Sequence, residues 1–188
     1  MEPVREDEEV FSWTDVKLPA VGPEPAGLKD WETGSRRRGR DIIMAMDHGP
    51  NSKHAFDWAL VHLCKIGDTI HLVHAVSSLK NKIVYDTTQG LMEKLALEAI
   101  QVAKVRTVAR IVEGDVGKAI CKEAERIKPA AVVLGSRGRS LMRSVLQGSV
   151  GEYCFHNCKS APIIIVPGKG ILSKLEKSLT LPSRSSNY

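Results

Sequence analysis

Three glycines and their neighbours have a spacing that could do chemistry. Leu134-Gly135-Ser136-Arg137-Gly138 is followed by nine residues and then by Gly148-Ser149-Val150, which opens a segment of helical period. Glycine puts no Cβ between the backbone N–H groups and an anion, and a helix N-terminus adds unpaired donors and partial positive charge. Arg137 and Arg139 contribute fixed cations. The chemistry this suits is the holding of phosphate. A Walker loop would end in Gly-Lys-Ser/Thr, and a dinucleotide fingerprint would place its glycines after the first strand, so the pattern is neither. The same glycines could also form a tight turn that binds nothing.

A loop of this kind needs a scaffold, and the middle of the chain supplies one. Asp41 to Met46, Thr69 to Val76, Thr107 to Val112, Ala130 to Leu134 and Ile163 to Val166 are short runs rich in Ile, Val and Leu, as strands buried on both faces should be. Between them lie helical stripes. Ala55, Ala59, Leu63 and Ile66 mark a first helix, capped at Asn51 or Ser52 and ended by Gly67. Met92, Leu95, Ala96, Ala99 and Ala103 mark a second. Val116, Ile120, Ala124 and Ile127 mark a third, capped by Asp115 and stopped before Pro129. A fourth starts near Gly148, with Val150, Cys154 and Cys158 on one side. Strands alternating with helices predict an α/β fold with a parallel sheet. In such sheets ligands bind beyond the carboxyl ends of the strands, which is where the glycine loop falls.

Composition narrows the function classes. A chain of 188 residues, 43% apolar, can bury one good core but scarcely a second domain. It has no run of eighteen apolar residues, and its opening at Glu6 to Glu9 is acidic, so neither a membrane span nor a secretory signal is expected. Cys64, Cys121, Cys154 and Cys158 sit inside patterned segments, which argues against a disulfide framework and for a reducing compartment. Cys154, His156 and Cys158 are too few for a zinc site, so helix packing is expected there. The six histidines form no ligand constellation, and no metal ligand is assigned.

The net charge of +5 comes from scattered cations, and aromatic residues make up 5% of the chain. Stacking platforms are therefore scarce, which disfavours a dedicated nucleic-acid binder. Arg36, Arg37, Arg38 and Arg40 resemble a short nuclear-import patch or a solvated domain edge. The expected location is cytoplasmic, with the nucleus open through that patch. Residues 1–39, with four prolines and an acidic opening, are expected to be a disordered tail in which Trp13 and Trp31 are exceptions. Residues 169–188 are expected to be a second, loosely held tail.

Gly-x-x-Gly, nine residues and Gly-Ser, placed between a fourth strand and a fourth helix, resembles the nucleotide loop of ATP-binding universal stress proteins, in their plant-like single-domain form. Ala45-Met46-Asp47-His48-Gly49 with Ser52 and the Ala55-x-x-Trp58-Ala59 helix is similar to that family's opening. So is the end of the second strand, His71-Leu72-Val73-His74-Ala75-Val76. The resemblance covers residues 40–168. It implies a three-layer α/β/α sandwich around an open five-stranded parallel sheet of order 3-2-1-4-5, the class shared with adenine nucleotide alpha hydrolases. It further implies that ATP, ADP or AMP is bound, with or without Mg2+. The Ala75 backbone would meet the adenine edge, and Ala45, Met46 and Asp47 would flank the adenosine. Leu134, Gly135, Arg137, Gly138, Gly148, Ser149, Val150 and Gly151 would line the ribose and phosphates. One departure stands out: ATP-binding members often carry Ser or Thr after the position of Val150, and here it is Gly151.

A regulatory module that signals through nucleotide state and dimerisation is the expected function, with an apolar edge strand at Ile163 to Val166 pairing two copies. A non-nucleotide interaction protein of the same fold is the alternative. An enzyme, at most a slow ATPase, is a third reading; no paired carboxylates or nucleophile–base pair converge on the loop, and no catalytic residue is assigned.

Overall fold

A computed structural model of the chain describes residues 12–18, 39–136 and 149–168. In chain order these residues form β1 (Ser12–Val16), β2 (Asp41–Met46), α1 (Pro50–His62), β3 (Thr69–Val76), α2 (Lys82–Ala103), β4 (Arg106–Glu113), α3 (Val116–Ile127), β5 (Ala131–Gly135), α4 (Ser149–Asn157) and β6 (Ile163–Val166). Strands β2 to β6 pair in parallel in the spatial order β4-β3-β2-β5-β6. That is the 3-2-1-4-5 arrangement expected from the sequence.

Alternation along each strand feeds two separate cores. Ile42, Met44, Ile70 and Leu72 pack with Phe56 and Leu60 of α1 and Met92 and Leu95 of α2 on one face. Ile43, Val73 and Val132 pack with Ile120 and Ala124 of α3 and Cys154 of α4 on the other. Both faces are thus covered, which is why the strands read as continuous apolar runs. Cys154 and Cys158 are buried in the second core, as helix-packing residues.

Helix ends follow local chemistry with one exception. The Asn81 side chain accepts the Val84 N–H and caps α2, and Asp115 accepts the Lys118 N–H and caps α3. Lys104 and Lys128 close these helices in the left-handed region, at φ 54° and 53°. Helix α1 departs from expectation. It starts at Pro50 behind Gly49, without a side-chain cap, because the Ser52 hydroxyl turns back to Asp47 instead. It also ends at His62, which leaves Ile66 83% exposed rather than in the core stripe. Helix α2 begins at Lys82, well ahead of Met92.

Among the described residues a sixth, antiparallel strand joins the five parallel ones. Ser12–Val16, inside the segment expected to be a disordered tail, runs antiparallel along β4, with Trp13 opposite Val112 and Asp15 opposite Arg110. Trp13 packs against the second core, and Val16 joins the first at 7% exposure. Arg110 Nε lies 2.7 Å from Asp15 Oδ1, while its Nη1 donates to Glu123 Oε1 at 2.8 Å. Glu123 is 2% exposed and also accepts from Arg126 Nε at 2.9 Å. The edge of β4 is therefore covered, and β6 forms the other edge.

Arg40 belongs to the fold rather than to a free basic patch. Its backbone N–H donates to Asp68 Oδ1 at 2.9 Å, and its Nη2 donates to Asp68 Oδ2 at 2.6 Å and to the Leu63 carbonyl at 2.8 Å. Arg36, Arg37 and Arg38 lie outside the described residues. Burial works against the Asp68 carboxylate, yet hydrogen bonds from Arg40 and the Lys65 N–H outweigh it and hold its pKa below the ordinary 3.8. A carboxylate depressed in the folded state adds stability that is complete above its unfolded pKa and lost as pH falls through the folded value. Urea midpoints measured from pH 6 down to pH 2 should therefore fall more steeply for the native chain than for Asp68→Asn. Equal slopes would show that this pair does not contribute.

Candidate functional site

At the centre of the sheet, β2 and β5 lie side by side, and the chain leaves them toward opposite faces, into α1 and α4. Departure to opposite sides opens a crevice at the carboxyl ends. A cavity of about 440 Å3 occupies it. Ala45, Met46 and Asp47 line it from β2, Ala75 from β3, Leu134 and Gly135 from β5, and Val150 and Gly151 from α4. These are eight of the residues singled out in the sequence. Ser149 opens α4. Arg137, Gly138 and Gly148 lie outside the described residues.

Small side chains make the room. Ala45 and Ala75 lie on neighbouring strands, Ala75 two residues beyond Val73, the register partner of Ala45, and both pack with Val116 and Val150 against the second core. A flat apolar group fits against such a surface. At Gly135 the requirement is steric: a Cβ would sit 2.6 Å from the Asn51 carbonyl oxygen, closer than real side chains approach. The missing side chain lets the first turn of α1 close against the end of β5. At Gly151 a Cβ would meet, among the described residues, only Ile165 Cδ1, at 3.7 Å, so these residues leave the position open to substitution.

Asp47 is held by its own turn. Its Oδ1 accepts the Gly49 N–H at 2.8 Å and lies 2.6 Å from the Ser52 hydroxyl. Its Oδ2 has no partner among the described residues and remains open at the cavity wall. Under the same turn, His74 Nδ1 lies 2.9 Å from the Met46 carbonyl; a carbonyl only accepts, so Nδ1 carries the proton. Burial, with His48 edge-on at 5.1 Å, pushes the His74 pKa down and keeps the ring neutral. It serves as a strut between β2 and β3.

Five wall residues escaped the sequence reading: Gly49, Pro50, Asn51 and Ser52 of the β2–α1 connection, and Val116 at the start of α3. Their signal was positional, since every βα connection of this sheet opens toward the same edge. Burial pushes the Cys64 and Cys121 thiols up to about 11, so neither is a poised nucleophile. Among the described residues, no group of three His, Cys, Asp or Glu side chains could hold a metal ion, and no helix is long and apolar enough to cross a membrane.

Comparison with known proteins places this architecture. The model of the universal stress protein family matches residues 39–167. Universal stress protein PHOS32 of Arabidopsis thaliana is 26% identical over 162 residues, 71% of this chain and 65% of that protein. An uncharacterized protein of Schizosaccharomyces pombe is 28% identical over 172 residues, 84% of this chain and 28% of that protein. The chain thus spans less than two thirds of the length of either relative. Among solved structures, a universal stress protein family protein from Arabidopsis thaliana with AMP bound superimposes with a TM-score of 0.54 at 23% identity, covering 77% of this chain and 97% of that one. A universal stress protein in complex with cAMP gives 0.56 at 19%, covering 70% and 99%. At these identities the structures speak for the fold, and the family pattern along residues 39–167 speaks for descent: the chain belongs to the universal stress protein family.

Proposed function

We propose that the chain is an adenine-nucleotide-binding regulatory protein whose ligand state is read through a dimer. The observation that carries this reading is the cavity of about 440 Å3 at the β2/β5 crevice, walled by small apolar residues at one end and open toward α4 at the other. Adenine lies against Ala45 and Ala75 with its edge on the Ala75 backbone. Asp47, with Oδ2 unengaged, accepts a ribose hydroxyl. The segment from Gly135 to Gly148, with Arg137 and Gly138, and the start of α4 from Ser149 take the phosphates. ATP, ADP and AMP are the candidate ligands, and phosphate oxygens supply any Mg2+ contacts, since no protein cluster is needed for them. The relatives named as binding AMP and cAMP support an adenine nucleotide without choosing among these. The free thiols Cys64, Cys121, Cys154 and Cys158 suit a cytoplasmic, reducing setting.

Heat-denaturing freshly purified protein and chromatographing the supernatant tests the reading directly, because an adenine nucleotide should elute. Gly148→Val should then abolish ATP binding in calorimetry with little change in thermal midpoint, since the added side chain occupies space at the loop–helix entry. Unchanged affinity would remove the loop from the site. An interaction protein of the same fold would release no nucleotide and show no calorimetric signal, and timed ADP formation would expose a slow ATPase.

The dimer rests on the sheet edges. With β1 covering β4, the apolar strand Ile163–Val166 is, among the described residues, the edge left for pairing, and its first three side chains are half-buried in the single chain. Light scattering at tens of micromolar should give twice the chain mass, and Ile164→Lys should shift it toward the single-chain value. A single-chain mass for the native protein, with or without ATP, would sink the dimer.

A further inference from the structure

Asn51 is the polar side chain at the cavity that the family pattern does not account for. It sits in the first turn of α1, half-buried, and lines the cavity. Its backbone carbonyl is pressed against Gly135 and its amide against Gly168, where a Cβ would lie 2.5 Å from Asn51 Oδ1. The amide makes no hydrogen bond to any described residue. A neutral group with two N–H donors is thus held in place by packing, while its hydrogen-bonding capacity is left for something else.

Its place in the cavity says what that is. The sheet order β3-β2-β5-β6 puts Ala75 at one end and Gly168, just past β6, at the other. Asn51 stands at the Gly168 end, across the cavity from the start of α4. That is the end farthest from the surface proposed for adenine. On the α4 side the first turn has Gly151, with no hydroxyl, and carries the acid Glu152; the first turn of α1 carries no acid.

We infer that Asn51 donates its side-chain N–H groups to the distal phosphates of the nucleotide, supplying from α1 the donor that Gly151 withholds from α4. The inference rests on the nucleotide reading above and specifies which wall addresses the outer phosphates. It predicts that a chain with glycine at position 151 still binds ATP more tightly than AMP.

The test is a calorimetric cycle on the full chain with AMP, ADP and ATP, using native protein, Asn51→Ala, Asn51→Asp, Gly151→Ser and the double variant Asn51→Ala/Gly151→Ser. A hydrogen bond to a charged acceptor corresponds to roughly tenfold or more in affinity. Asn51→Ala should therefore weaken ATP and ADP about tenfold and AMP far less. Asn51→Asp, equal in shape but anionic, should weaken ATP further. Gly151→Ser, whose hydroxyl must turn from Ile165 toward the cavity, should recover more affinity in the Asn51→Ala background than it adds to the native chain. Because the amide has no hydrogen-bond partner among the described residues, matching urea midpoints will separate binding from unfolding. Native-like ATP affinity in Asn51→Ala, or equal losses for AMP and ATP, overturns the inference while leaving the nucleotide reading intact. A native chain that binds none of the three nucleotides overturns both.

Discussion

The carboxyl end of this sheet depends on one close approach, that of the first turn of α1 to the end of β5. The distance is set by what Gly135 lacks. A side chain there would collide with the Asn51 backbone at 2.6 Å, and α1 would have to lift away from the sheet. Three consequences follow from the contact. It closes one wall of the cavity, fixes where the Asn51 amide stands, and holds the turn in which Asp47 is gripped by Gly49 and Ser52. A glycine usually read as a phosphate contact is thus first a packing requirement. The two roles agree, because an absent Cβ brings both helix and ligand closer to the backbone.

At the amino end of the strands, order is imposed by charge. Asp68 is 3% exposed and collects Arg40 and the Lys65 N–H, tying the entry of β2 to the turn before β3. Along the β4 edge, Glu123 is 2% exposed and satisfied by Arg110 and Arg126. Buried carboxylates of this sort are costly when a partner is removed. Asp15, by contrast, has a side chain 74% exposed, and an exposed ion pair contributes about 1 kcal/mol at most. Arg110 is therefore required by Glu123 and merely used by Asp15. What holds β1 is its backbone ladder along β4 together with Trp13 and Val16 in the two cores.

Among the described residues, the cavity has a mostly apolar lining of small side chains. Its walls are Ala45, Ala75, Val116, Val150 and Leu134, His74 is kept neutral beneath it, and the one carboxylate at its rim is partly engaged by its own turn. Such groups orient a ligand and exclude water around its apolar part. On the proposed reading, a change in nucleotide state would reach the rest of the molecule through α1, α3 and α4, whose first turns line the cavity. Helix α4 also contacts β6, the strand proposed to pair two copies.

The sequence alone determined the parallel core of the fold, because each buried strand must be a short apolar run and each helix must show an apolar stripe and a cap. Asp115 as the α3 cap, the stop before Pro129 and the runs Asp41–Met46, Thr69–Val76 and Ile163–Val166 are local facts of this kind. The eight cavity residues shared between sequence and structure were implied by the resemblance to the universal stress proteins, and six of them lie at the carboxyl ends of β2, β3 and β5. Tertiary structure decided the rest. Ser12–Val16 has little strand signal of its own and becomes a strand because the β4 edge offers unpaired backbone groups together with Arg110 and a seat for Trp13. Ser52 has the residue type of a helix cap, yet the Asp47 carboxylate competes for it and wins at 2.6 Å. Arg40 looks like part of a basic run until Asp68, 28 residues away, accepts it. Asn51 carries no motif, and only the closure of α1 on Gly135 and Gly168 brings its amide to the cavity. Contacts between residues far apart in the chain leave no periodic trace, and they placed three of these four; Ser52 was decided by a competing acceptor five residues away.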